Sequence, residues 1–189
     1  PTCSAWASAS SVWSAAGRTA AVWAGRSCGA SPSCIARSSA PGALAIAEQL
    51  HQDYDFEGIQ LVLPTTVFED RHVLNLDGTE VHLIYVGPCH QTGDTLIHVP
   101  SEGVVFTGDV IFHECTPMGW NGSYEKWMKN LDFIISLKPN IIVPGHGPLC
   151  GIEGAMEMQA YLEYVREESQ RCFELGLSSL EAAKRIDIG

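Results

Sequence analysis

Apolar and polar positions alternate in short runs through the middle of the chain, then switch to helical spacing towards its end. Ile59–Leu63 and Thr66–Phe68 read as strands with a turn at Pro64 between them. His72–Leu76 and Glu80–Val86 flank Asp77-Gly78, a pair suited to a two-residue hairpin turn, where both positions need positive φ. Thr95–Val99 and Val104–Phe106, on either side of a Pro100–Gly103 turn, predict a second hairpin. Behind Ser123, a good N-cap, Trp127, Leu131, Ile134 and Ile135 recur at the spacing of one helix face. That helix should stop near Lys138-Pro139, because the residue before a proline is pushed out of helical conformation. Ile141–Val143 then returns as a strand. After Gly151 and Gly154, Met156–Leu175 reads as a long amphipathic helix and Ser178–Arg185 as a short last one. Strands interleaved with helices, with no internal repeat, place the chain in the α/β class.

Three of these apolar runs lead into a turn that carries a metal-ligand side chain. The stretches are Gly87–Thr95, Phe106–Val110 and Val143–Pro148, and they present His90, Asp109 and His146. Two imidazoles and a carboxylate are natural donors for zinc, and turns at strand ends are where a rigid sheet holds reactive groups. Alone, His90 would be a turn histidine bonded to backbone, and Asp109 an ordinary Gly-Asp turn. His146 is harder to dismiss. Pro144, Gly145, Gly147 and Pro148 constrain the backbone around it at a conformational cost. Taken together, the three predict a site descended from a metal centre, with their donor atoms converging in space.

On these motifs the chain resembles the metallo-β-lactamase-fold hydrolases, over roughly its C-terminal three quarters. The resemblance covers Val67 to Cys150 most closely, including Trp127 and Leu131 on the intervening helix. It implies an αββα sandwich whose N-terminal part is incomplete or atypical here. It also implies a zinc-bound histidine at His90, a carboxylate at Asp109 that bridges two zinc ions and serves catalysis, and a second-metal histidine at His146. Thr92 and Asp94 would support His90 or its loop, while His113 and Glu114 would line the pocket. Two zinc ions in such a site activate a shared water for hydrolysis of an ester, thioester, lactone or phosphodiester bond. An aspartate at 109, where antibiotic-destroying members more often carry Cys or Ser, favours the wider group of thioesterases, lactonases and related hydrolases.

One departure bears on activity. The family's H-x-H-x-D-H motif, which supplies ligands to both metals, does not occur; the first histidine is the isolated His51, and His72, His82, His98 and His113 are scattered. A catalytic zinc wants about three protein ligands plus water, so three ligands over two metals fall short. Three functions follow: a dinuclear zinc hydrolase with ligands missing or altered, a catalytically inactive remnant acting as a binding or dimerising module, or a mononuclear metal protein. Zinc occupancy would be two, none or one per chain respectively.

Residues 1–43 bear on the missing motif. They contain no Asp, Glu, Lys or Leu, yet carry Trp6, Trp13, Trp23, Cys3, Cys28 and Cys34 among Ala, Ser, Gly and Arg. The segment reads as out-of-frame translation of a GC-rich gene, with a leader sequence or an atypical domain start as rivals. Its lack of apolar periodicity predicts no stable hydrophobic arrangement. Residues 44–189 would form the folded domain. All 22 acidic residues fall from Glu48 onwards, within a net charge of −11. Such an acidic body disfavours nucleic acid and anionic membrane as partners. A small-molecule substrate is expected, with a homodimer left open. Seven Cys without a C-x-x-C argue against a disulfide scaffold or Cys-type zinc site and for a reduced, cytoplasmic setting. Cys89, beside His90, reads as a buried small residue rather than a thiolate ligand.

Overall fold

A computed structural model describes residues 22–24, 52–55, 64–119 and 122–188. These fall into two units, one ending at Glu69 and the other spanning Asp70–Gly189. In the first, β1 (Val22–Ala24) pairs in parallel with β2 (Thr66–Phe68), Trp23 opposite Val67. The expected strand Ile59–Leu63, His51 and most of residues 1–43 lie outside the described residues.

The second unit is built on a five-stranded sheet in the order β3-β4-β5-β6-β7. Its strands are β3 (Arg71–Leu76), β4 (Thr79–Tyr85), β5 (Thr95–Val99), β6 (Val104–Phe112) and β7 (Ile141–His146). The first four form an antiparallel meander, and β7 joins β6 in parallel. The Asp77-Gly78 turn forms as its sequence demands, with φ of 51° and 90°. The Gly78 amide also donates to the Asn75 side chain at 2.9 Å.

Strand alternation sorts the sheet residues by face. His82, His98, Val105 and Ile142 stand opposite one another across β4–β7 on one face, and Leu83, Ile97, Phe106 and Val143 on the other. The first face carries Leu96, Val105 and Ile142, all fully buried, and packs with the helices into one core. Helix α1 (Tyr124–Ser136) contributes Trp127, Leu131 and Ile134, at the predicted spacing. Ser123 caps it by accepting from the Lys126 amide at 3.4 Å. It ends where Lys138 turns to φ 50° ahead of Pro139. Helix α2 (Ile152–Glu174) buries Ala155 and Met158 in the same core, and α3 (Ser179–Arg185) begins with a Ser178/Glu181 capping box.

Two expectations need correction. Helix α2 starts four residues before Met156. Gly151 serves as its N-cap, with its amide held by the Glu153 carboxylate at 2.7 Å. Gly154 lies inside the first turn because any side chain there would collide with Cys150 Sγ. Secondly, Asp109 and His146 sit within strands rather than in the turns after them. The run Val110–Phe112 is buried and returns to pair with β7, so β6 continues past Asp109. Pro144 is tolerated in β7 because that strand is the last of the sheet among the described residues. No helix among the described residues is long and apolar enough to cross a membrane.

Candidate functional site

His90 sits in the connection from β4 to β5. That loop is closed by amides of Val86 and Gly87, which donate to the Asp94 carbonyl at 2.9 and 3.1 Å. The Asp94 carboxylate accepts from the amides of Cys89 and Gln91 at 2.9 and 2.8 Å. Asp94 therefore fixes the loop backbone on either side of His90 instead of gripping its ring. Burial raises the Asp94 carboxyl above its ordinary value, and the amide donors pull it partly back. Thr92 takes part through its carbonyl, which accepts from the Tyr85 hydroxyl at 2.9 Å. Helix α1 braces the start of the loop: Asn130 Nδ2 donates to the Val86 carbonyl at 2.8 Å, and Lys126 Nζ to that of Gly87. Cys89 is fully buried, and burial pushes its thiol up to about 12, so it remains a protonated core residue.

Asp109 is presented by an irregularity in β6. From Val104 opposite Ile141, the pairing runs to Phe112 opposite His146, with register shifts on both sides of Gly108. More residues lie on β6 than on β7 between those two pairs, so the chain bulges and re-aims a side chain, as bulges near active sites do. Gly108, at φ 51°, accommodates the bend. Trp127 Nε1 donates to the Val110 carbonyl at 2.8 Å and ties α1 to the returning limb.

His146 closes β7. Its carbonyl accepts from the His113 amide at 3.0 Å, and its ring lies flat on Phe112, centroids 4.7 Å apart and planes 8° from parallel. The glycines beside it have separate tasks. A Cβ at Gly145 would collide with Asp109 Oδ1, whereas Gly147, at φ 92°, passes too close to the His113 carbonyl for any side chain.

The structure thus brings the three predicted ligands together. His90 Nδ1 lies 3.5 Å from Asp109 Oδ2, and His146 Nε2 lies 3.5 Å from Asp109 Oδ1. Each oxygen of one carboxylate faces a different imidazole. The Asp109 side chain is 12% exposed, and His90 is 3% exposed overall. Two donors each about 2.0–2.1 Å from a shared zinc at a tetrahedral angle stand about 3.3–3.4 Å apart, close to both observed separations. Each pair is spaced as two donors to one cation would be, and Gly145 clears the space for the Asp109 carboxylate between the two imidazoles. Donor number is the limit, with one nitrogen and one oxygen on each side. Among the described residues no three His, Cys, Asp or Glu side chains gather round a single point.

His113, whose amide bonds the His146 carbonyl, and Glu114 follow Phe112 along the chain. They line a cleft of about 300 Å³ with Phe112, Glu157, Met158 and Tyr161. His113 Nδ1 lies 3.2 Å from the Pro148 carbonyl and its Nε2 3.6 Å from Glu157. The sequence reading passed over Phe112, whose ring touches His146 and lies 5.8 Å from that of His90. A signal existed in Val110–Phe112, an apolar run that continues the strand beyond Asp109. Lys126 and Asn130 gave none, being polar helix residues whose partners are backbone carbonyls distant in sequence.

Comparison with known proteins gives the family of the chain. Residues 29–146 match the family model described as Metallo-beta-lactamase superfamily. The chain is similar to the 2,4-dinitroanisole O-demethylase subunit alpha of a Nocardioides strain, 31% identical over 46% of this chain and 27% of that one. It is also similar to the metallo-beta-lactamase type 2 of Bacteroides fragilis, 30% identical over 49% of this chain and 39% of the relative. It therefore spans well under half the length of these curated relatives. Among solved structures, the stereoselective inverting sec-alkylsulfatase from a Pseudomonas species superposes with a TM-score of 0.55. At 16% identity, covering 68% of this chain and 22% of that one, it is a likeness of fold alone.

Proposed function

The chain belongs to the metallo-β-lactamase superfamily, a family of hydrolases, and from that premise we propose that it is a zinc-dependent hydrolase with a depleted metal site. The substrate class we assign is a small molecule with an ester, thioester, lactone or phosphodiester bond. The observation that carries this reading is Asp109, a largely buried carboxylate with each oxygen 3.5 Å from a different histidine nitrogen. A lone ion pair would need only one such face.

Zinc bound there would supply Lewis acidity and a water that ionises near neutral pH. The chain's own residues do the rest of the work. Asp109 holds negative charge between the two imidazoles and sets the separation of their donor atoms. Asp94 immobilises the loop that carries His90, and Gly145 leaves the Asp109 carboxylate room to approach. Trp127 and Phe112 stand beside His90 and keep bulk water from one side of it. The acidic charge balance argues for a small-molecule partner rather than nucleic acid, and a cytoplasmic setting belongs to the same proposal.

A second reading, a fold-retaining module without activity, draws its support from the donor count. Equilibrium dialysis of the full chain against zinc, followed by elemental analysis and assays on p-nitrophenyl acetate, a thioester, a lactone and a phosphodiester, separates the two. We expect weak zinc uptake, below two per chain, that Asp109→Asn abolishes, with zinc-dependent hydrolysis of at least one substrate. Uptake unchanged by Asp109→Asn, or no hydrolysis with zinc bound, would overturn the hydrolase reading.

A further inference from the structure

We propose that Phe112 is a positioning residue that sets the ring planes of both histidines, His146 by stacking and His90 by packing from the side. This rests on the reading of His90, Asp109 and His146 as metal ligands, and adds a fourth residue that touches no metal. The Phe112 ring is stacked on His146 at 4.7 Å and 8°, and tilted against His90 at 5.8 Å and 60°. One aromatic side chain therefore contacts the two imidazoles that face opposite oxygens of Asp109.

The fold explains why the ring stays there. Phe112 is 8% exposed, and its amide lies 3.3 Å from Met158 Sδ on α2, so backbone and side chain are both held. The bulge in β6 has two products. It projects Asp109 between the histidines, and its return places Phe112 directly opposite His146 in the β6–β7 register. Carboxylate and aromatic plate are thus positioned by one backbone irregularity.

An imidazole free to turn about its χ2 bond must be ordered each time a cation binds, and that ordering weakens binding. A flat ring against His146 removes that freedom in advance, as groups supporting a metal ligand do; their loss costs about 10–100-fold in metal affinity. Leucine at 112 would keep apolar bulk but lose the flat face, whereas tyrosine would keep it.

The test uses the full chain with Phe112→Leu and Phe112→Tyr. Zinc titration, and cobalt titration followed by its visible spectrum, measure affinity and ligand geometry. Carbon–proton NMR of histidine-labelled, metal-free chain measures ring order directly. Phe112→Leu should weaken zinc binding about tenfold or more, remove the ring-current displacement of the His146 resonances and broaden those of His90. Phe112→Tyr should restore all three. Unchanged affinity and unchanged histidine resonances in Phe112→Leu would overturn the inference. If the parent chain takes up no zinc while its histidine resonances still respond to Phe112→Leu, the metal reading fails and the positioning role stands. Circular dichroism of each variant shows whether the sheet has survived the substitution.

Discussion

A Cβ at position 145 would occupy space now held by Asp109 Oδ1, with the backbone of Gly108 and Asp109 immediately behind it. Backbone cannot step aside as a side chain tip can, so Gly145→Ala must push β7 away from the bulge or displace the carboxylate. We expect it to lower stability by about 1–3 kcal/mol through overpacking and zinc affinity by at least about tenfold, the circular dichroism spectrum staying that of a folded chain. Urea denaturation and zinc titration measure the two effects separately. Zinc binding equal to that of the parent would show that the contact between Gly145 and Asp109 does not shape the site. Asp94 illustrates a different local logic. Its carboxylate is spent on the amides of Cys89 and Gln91, so its effect on His90 is exerted through the backbone.

Helix α1 links the loop that carries His90 to the strand that carries Asp109. Asn130 and Lys126 bond the carbonyls of Val86 and Gly87, and Trp127 bonds that of Val110. Removing the Asn130 amide leaves the buried Val86 carbonyl without its Asn130 donor, a loss of about 1–3 kcal/mol. Asn130→Ala should therefore shift the urea midpoint downwards and speed amide hydrogen exchange across residues 86–94, leaving β3 and β5 protected. Uniform exchange across the sheet in that variant would argue that α1 stabilises the core generally and does not brace this loop. The bulge in β6 is the other element-level device. It answers to no obvious residue pattern beyond Gly108, since its return depends on Phe112 finding its place opposite His146 in the neighbouring strand.

Across the whole Asp70–Gly189 unit, a second group of titratable residues lies on the sheet away from the site. Arg71 donates to His82 Nδ1 at 2.6 Å, which leaves the His82 Nε2 proton to be donated to Glu80 at 3.1 Å. His98 meets His82 edge to face at 5.9 Å. Burial, then electrostatic repulsion from the neighbouring His82 and Arg71, hold His98 below its ordinary value of 6.5. The unfolded chain then binds a proton near pH 6.5 that the folded chain takes up only at lower pH. Stability is full above that value and falls as pH drops through it towards the depressed folded value. Urea midpoints at about pH 7.5 and 5.5 should show the fall, and His98→Gln should reduce it. An equal fall in that variant would assign the effect to other groups.

The chain's periodicities carried the element types, because strand and helix each repeat at a fixed spacing and each residue either fits the buried face or does not. Thr95–Val99, the Asp77-Gly78 hairpin and the α1 stripe of Trp127, Leu131 and Ile134 all follow from that local rule. So did the identity of the three ligand candidates, since few residue types offer such donors and the Pro-Gly-His-Gly-Pro turn marked its own constraint. What no local pattern held was the relation between segments. That Asp109 sits inside a bulged strand, that its two oxygens divide between His90 and His146, and that Phe112 lies across both imidazoles depend on how segments 19 to 37 positions apart pack and pair. Helix α2 began earlier than its glycines suggested for the same kind of reason: Gly154 is there for its close approach to Cys150, not as a break. Sequence determined which side chains were available and which elements would carry them. Tertiary packing alone decided which of them face one another, because a distance between remote residues is set by every contact that lies between them.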